Sequence, residues 1–345
     1  MSRSPRLAML FALAAIGALA ALGCGGEPAP GPEDPRAPLV VYSGRAENLV
    51  GELFERFERT SGIPVEVRYG DSAELAATLG EEGGRGRADV FFAQDAGSLG
   101  AVANQGLMRE LPEPVVAPIP ERFRDPERRW VGTSGRARVV AYDTRRLKAG
   151  DLPQSIFDFA RPEWRGRIGF APTNASFQAF VSAMRLEVGD ERTRGWLAAI
   201  DANQPTLLEN NIQTLEAIAR GEVEVGLVNH YYLYELRAER PNLPVENHFL
   251  RPGDPGSLVN VAGVGELRSG ARPVAARRFV EFLVGVEGQR YFATDTEEYP
   301  LVRGVRPDEE LRPLEEIQGP DVSLGALGEK LPSTAQMISE AGLGS

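Results

Sequence analysis

Residues 39–93 read LVVYSGRAENLVGELFERFERTSGIPVEVRYGDSAELAATLGEEGGRGRADVFFA. Three short apolar runs, Leu39–Tyr42, Val65–Arg68 and Ala88–Ala93, are separated by two segments with helical spacing. In the first segment Leu49, Val50, Leu53, Phe54 and Phe57 fall on one stripe, and Gly62 ends it. The second opens on Asp71-Ser72-Ala73-Glu74, a capping box ahead of Leu75 and Leu79. Strand, helix, strand, helix, strand in that order predicts a parallel sheet with helices on its faces.

The alternation resumes downstream. Strands are predicted at Arg138–Tyr142, Arg167–Ala171, Val223–Asn229 and Ser257–Val264, and helices at Ser176–Arg185, Leu215–Arg220, Tyr231–Glu239 and Val274–Val286. The Pro- and Gly-rich tail is expected to wrap the surface and finish in a short helix near Ser333–Ala341. At about 150 residues per domain, a 345-residue chain makes two units.

Composition excludes several classes of function. Lys+Arg number 38 against 49 Asp+Glu, a net charge of −11 spread along the chain, which argues against nucleic acid as a partner. One cysteine and two histidines leave no disulfide framework, multi-cysteine metal site or histidine cage. No nucleophile-elbow motif appears, and the glycines at 80–86 follow a helix rather than opening one. An enzyme is not expected. Chemistry here must run on oxygen ligands and arginine.

At the N-terminus Arg3 and Arg6 precede an apolar run, Leu7–Leu22, too short for a membrane span and suited to a signal-peptide core. Ala21-Leu22-Gly23-Cys24 resembles the lipobox of bacterial lipoproteins, with Ala21 where leucine is more usual. That resemblance implies cleavage after residue 23, acylation of Cys24 and a periplasmic, membrane-anchored lipoprotein. Residues 24–38 then read as a Pro/Gly-rich tether.

Polar residues gather where predicted strands give way to helices: Ser43–Glu47, Gln94-Asp95, Pro172–Ser176 and Asn229–Tyr232. In open parallel sheets ligands bind beyond the carboxyl ends of strands, and free N–H groups at helix starts favour an anion. Four such junctions, two from each half, predict one cleft between two lobes.

Ala-Asp-Val-Phe-Phe at 88–92, Ser-Gly-Arg-Ala-Arg at 134–138 and Gly-Leu-Val-Asn-His-Tyr-Tyr at 226–232 resemble the periplasmic ferric-ion-binding proteins of bacterial iron ABC importers. The resemblance runs from Leu39 to Leu343. It implies an α/β, two-lobed type II periplasmic-binding-protein fold, each lobe a mostly parallel sheet flanked by helices, joined by hinge strands near Arg136–Tyr142 and Asn260–Val264. Residues 39–136 plus 262–312 would form lobe 1, and 137–261 plus 313–345 lobe 2. It also implies Fe3+ as cargo, delivery to an inner-membrane permease with its ATPase, and a monomeric carrier.

By the same resemblance Tyr231 and Tyr232 match paired tyrosinate ligands, and Tyr142 a third. A hard trivalent cation suits anionic oxygen and displaces the proton of a phenol whose free pKa is near 10. Asn174 and Ser176 match a helix start that holds a synergistic anion such as carbonate or phosphate, and Asn211 and Asn229 match two asparagines beside it. Arg136 or Arg138 matches an arginine near the hinge. In lobe 1 some relatives carry histidine or tyrosine where Ala46 and Glu47 stand, and glutamate where Gln94 stands; Glu47 and Asp95 are the carboxylates available instead. A carrier of a small anion or organic solute on the same fold is the alternative, with the tyrosines only stacking.

Overall fold

The structure is a computed structural model that describes residues 33–307 and 311–344. The expected signal segment 1–23, Cys24 and the tether up to residue 32 lie outside the described residues. Ten strands form one sheet: β1 (Leu39–Ser43), β2 (Val65–Tyr69), β3 (Val90–Ala93), β4 (Val131–Asp143), β5 (Ile168–Phe170), β6 (Thr206–Leu207), β7 (Val225–Asn229), β8 (Val245–His248), β9 (Val259–Glu266) and β10 (Tyr299–Pro300). Their order is β2-β1-β3-β9-β4-β7-β5-β6, with β8 and β10 attached to β4.

The outer triads are parallel, β1 with β2 and β3, and β5 with β6 and β7. Between them β9 and β4 run antiparallel to their neighbours, so the parallel expectation holds for the flanks and not for the centre. Strand β4 is shared: Val131–Ala137 pairs with β9, and Arg138–Tyr142 pairs with β7. All thirteen of its residues are buried. The predicted strand Arg138–Tyr142 is thus only its second half. The first half reads Val-Gly-Thr-Ser-Gly-Arg-Ala, without apolar alternation, because Tyr299 and Leu301 pack onto Gly132 and Gly135 and no side chains are needed there.

Each flank buries its own aromatic cluster. Helix Glu47–Ser61 packs Phe54 flat on Phe279 at 5.5 Å, with Phe57 edge-on to the same ring at 5.0 Å and Phe92 of β3 at 6.4 Å. Gly62 ends this helix in the left-handed conformation (φ 71°), its N–H on the Glu58 carbonyl, as its position after the apolar stripe predicts. On the other flank Phe170, Phe177, Phe180 and Trp196 form a chain of ring contacts at 4.7, 5.7 and 5.6 Å. Helices Ala96–Asn104, Asp190–Ala202 and Val286–Thr294 were not expected from the sequence. The predicted Val274–Val286 helix breaks at Gly285 into Pro273–Val284 and Val286–Thr294.

Part of the expected tether is docked. The Glu33 carboxylate accepts from the N–H groups of Val274 and Ala275 at the start of helix Pro273–Val284, and Arg272 donates to the Ala37 carbonyl.

The C-terminal helix is longer than predicted, Leu327–Glu340, and lies against two others. Toward helix Ala96–Asn104 the contact is mainly backbone, with an exposed hydrogen bond from Asn104 to Glu329: a Cβ on Gly328 would stand 2.3 Å from the Gly97 carbonyl oxygen, and one on Gly100 2.6 Å from that of Gly325, just ahead of the helix. Toward helix Ala175–Val188 it is polar, with Ser182 and Thr334 hydroxyls 2.8 Å apart and Arg185 donating to Ser333, Thr334 and the Lys330 carbonyl. Gly328→Ala is therefore expected to destabilise by about 1–3 kcal/mol, since backbone cannot step aside as a side chain can. A thermal midpoint equal to that of the wild type would contradict this packing.

Candidate metal-binding cleft

The carboxyl ends of β1, β2, β3, β5 and β6 open on one cleft of about 430 Å3. Gly44, Ala46, Gly70, Asp71, Ser72, Gln94 and Asp95 line one wall, Thr173–Ser176 and Glu209 the other, and Arg136 of β4 lies between. Gly44 is required: a Cβ there would sit 2.0 Å from the Ser72 hydroxyl, which accepts the Gln94 N–H and sets the approach of two loops.

Five of the six predicted anion-site residues join in one hydrogen-bonded chain. Asn174 caps helix Ala175–Val188, accepting from the N–H and hydroxyl of Ser176. Ser176 accepts from Arg138 Nη1 at 3.2 Å, which also reaches Asn229 Oδ1 at 3.3 Å, and the Asn229 N–H reaches Asn211 Oδ1 at 3.3 Å. Arg138 Nη2 and Asn211 Nδ2 are buried without a partner. Burial pushes the Arg138 guanidinium down to about 9, with only Tyr232 opposing. A buried cation with no carboxylate and an unused donor is a site built for an anionic oxygen. Arg136 stands apart from this chain. Its Nε lies 3.7 Å from Glu298, and its Nε and Nη1 are also without hydrogen bonds.

Tyr231 and Tyr232 open helix Tyr231–Glu239 with rings stacked at 4.2 Å. Tyr231 is buried and Tyr232 half-buried. Burial, with Tyr232 adding, raises the Tyr231 phenol well above its usual range, while Arg136 and Arg45 pull the other way. Tyr231 therefore stays a neutral phenol until a strong cation offsets its ionisation. Among the described residues no three His, Cys, Asp or Glu side chains gather into a metal-holding group.

The other predicted ligands are not brought together with these. Tyr142 sits four residues along β4 from Arg138, about 13 Å away at strand spacing, beside Glu246 in register and within the core. Glu47 is exposed in the first turn of its helix and does not line the cleft. Asp95 does line it, but both carboxylate oxygens are engaged by Ser98, one by its N–H at 2.8 Å and one by its hydroxyl at 2.9 Å. It is the cap of helix Ala96–Asn104.

Two residues escaped the sequence reading. Arg45, 1% exposed, makes a two-pronged pair with Glu298, 0% exposed, at 2.9 and 2.7 Å. Burial alone would raise the Glu298 carboxyl; Arg45, Arg136 and the Ser134 hydroxyl outweigh it and hold it low. The partners are 253 positions apart; Arg45 lies in the polar junction Ser43–Glu47, but nothing local announced its pairing with Glu298.

His230 faces away from the cleft. Its Nδ1 accepts the Ala137 N–H at 3.2 Å, its Nε2 lies 3.1 Å from the Glu297 carbonyl, and its ring stacks on Tyr299 at 4.5 Å. Burial pushes its pKa down to about 4, against a counter-pull from Glu298 and with Arg136 reinforcing it. The unfolded chain binds the proton more readily, so this stability is complete above about pH 6.5 and is lost as pH falls toward 4, up to roughly 3 kcal/mol. In metal-free protein the thermal midpoint should drop over that window, and His230→Gln should flatten the drop; equal slopes would refute the assignment.

A sheet in two halves, with ligand groups converging from both at strand ends, is the plan of a solute-binding protein. The chain belongs to the bacterial extracellular solute-binding protein family, whose profile matches residues 87–318. It is 32% identical over 316 residues to the major ferric iron-binding protein of Neisseria meningitidis serogroup B, covering 89% of this chain and 93% of that one. To the Fe(3+)-binding periplasmic protein of Serratia marcescens it is 32% identical over 309 residues, 88% of this chain and 90% of the other. Among solved structures, iron-bound HitA from Pseudomonas aeruginosa matches with a TM-score of 0.84 at 32% identity, over 88% of this chain and 99% of that one. The Trichodesmium protein (IdiA, FutA) in complex with iron and citrate ligands matches at 0.80 and 26%, over 89% and 100%.

Proposed function

We propose that this chain is the exported substrate-binding component of an iron(III) ABC importer. Ferric ion is the cargo, held by the phenolates of Tyr231 and Tyr232, and an anion such as carbonate, phosphate or a carboxylate completes its coordination. The anion lies against Arg138, Asn174, Ser176, Asn211 and Asn229, with Arg136 beside it. Residues 39–136 plus 262–312 act as one lobe and 137–261 plus 313–345 as the other, closing over the ion and docking as a monomer on an inner-membrane permease driven by its ATPase. An acyl chain on Cys24 keeps the carrier at the membrane. The protein transports and does not catalyse.

The observation that carries this reading is the stacked phenol pair set beside buried guanidinium groups with unused donors. Ferric-binding relatives of similar length support it. Titrating the metal-free protein with ferric citrate should produce a visible tyrosinate-to-iron charge-transfer band that saturates at one ion per chain. A colourless, metal-free protein at saturation would sink the assignment. The uncompensated Arg138 favours one rival, a carrier of a small oxyanion alone. In that case phosphate would raise the thermal midpoint and ferric ion would add nothing.

A further inference from the structure

On the first wall of the cleft Ala46 and Gln94 cannot ionise, both Asp95 oxygens are held by Ser98, and Asp71 serves as the cap of helix Ser72–Glu82, its Oδ1 accepting from the N–H groups of Ala73 and Glu74. Behind that wall, between the lining residues Gly44 and Ala46, the loop after β1 buries a cation. Arg45 is fixed in orientation, because both its Nη atoms are on Glu298 while Glu298 also accepts from Ser134 at 2.9 Å and Thr296 at 3.1 Å. Its Nε–H is buried without a partner, as are Nε and Nη1 of Arg136. His230, the residue before Tyr231, lies 3.1 Å from the carbonyl of Glu297, the residue before Glu298, and accepts the N–H of Ala137, the residue after Arg136, so the turn that carries the tyrosines abuts the segments that hold Glu298 and Arg136.

Buried charges in low dielectric interact strongly, and a guanidinium with an unused donor is costly to keep unless something anionic arrives. We propose that Arg45, oriented by Glu298, is a positioning residue for the metal: its charge and free Nε–H, together with those of Arg136, oppose the Tyr231 and Tyr232 phenolates from the β1 side and draw the walls together, in place of a ligand from that wall. This rests on the ferric-tyrosinate reading above. The cation also withdraws electron density from the phenolates, whereas the Glu298 carboxylate pushes the other way.

The test uses the full chain, ferric citrate as the metal source, and the charge-transfer band as readout. Arg45→Gln should move the band to longer wavelength and weaken ferric affinity about tenfold or more, the range seen when groups behind metal ligands are removed. Glu298→Gln should move it to shorter wavelength, because the cation then acts unopposed. Arg45→Lys, which keeps the charge, should recover most of the wild-type position. A merely structural pair would not produce shifts of opposite sign. Should the single variants fail to fold, Arg45→Gln with Glu298→Gln removes both members of the two-pronged pair and leaves Arg136 charged. That protein should bind more weakly than wild type, with a band at longer wavelength. Wild-type band and affinity in these variants, or shifts in the same direction, would overturn the proposal. A wild-type protein that shows no band at all fails on the ferric reading instead, and takes the proposal with it.

Discussion

Phenylalanine at both 231 and 232 is expected to abolish the visible band and to lower ferric affinity about a thousandfold or more, at least 4 kcal/mol. The rings remain, so the 4.2 Å stack and the burial of residue 231 persist, and the metal-free thermal midpoint should move little. Removing hydroxyls thus separates binding from folding. The pH dependence gives a second reading of the same ligands. Burial holds the Tyr231 phenol above its usual range, so each phenolate formed on metal binding releases a proton near neutral pH. With two phenolates, the logarithm of ferric affinity should climb by about two per pH unit from this source, and by about one in either single variant. A slope unchanged by Tyr231→Phe or Tyr232→Phe would remove that tyrosine from the ligand set.

Phe279→Ala should cost about 3–5 kcal/mol, the range for deleting a buried aromatic. Phe279 is fully buried and is the ring on which Phe54, Phe57 and Phe92 converge. These come from a helix and a strand, and Phe279 from a second helix, so the cavity cannot close by moving a single neighbour. Denaturant unfolding should show the midpoint falling with the slope unchanged. A loss below 1 kcal/mol would mean that the cluster relaxes into the gap and is not the anchor of its flank.

Phe279 also marks what was legible in the sequence. Its helix, and the one bearing Phe54 and Phe57, announced themselves by apolar spacing, because each buries one stripe against the sheet. Polar loops at strand ends announced the cleft, and the residues from Asn174 to Ser176 do lie in its wall. Helix Ala96–Asn104 gave no such notice: Ala, Gly and Ser make up most of it, and Leu99 and Val102 are its two large apolar side chains, too few for a stripe. Strand β4 was half seen for a related reason, its glycines being filled by residues from 299 to 301. Tyr142 shares a strand with Arg138 but stands four residues further along it, opposite Glu246, a placement that identity alone does not encode. Arg45 and Glu298 meet only through the fold.

The C-terminal helix gives the molecule two contacts of unequal friction. Against helix Ala96–Asn104 it shows mainly glycine backbone, with one exposed hydrogen bond from Asn104 to Glu329; against helix Ala175–Val188 it is bolted by buried hydroxyls and a guanidinium. Both neighbours point their N-termini at the cleft. Any rocking of one against the other is therefore shunted onto the glycine track, where the side-chain hydrogen bond at stake is the exposed one from Asn104 to Glu329, and the last helix rides as an outrigger of Ala175–Val188.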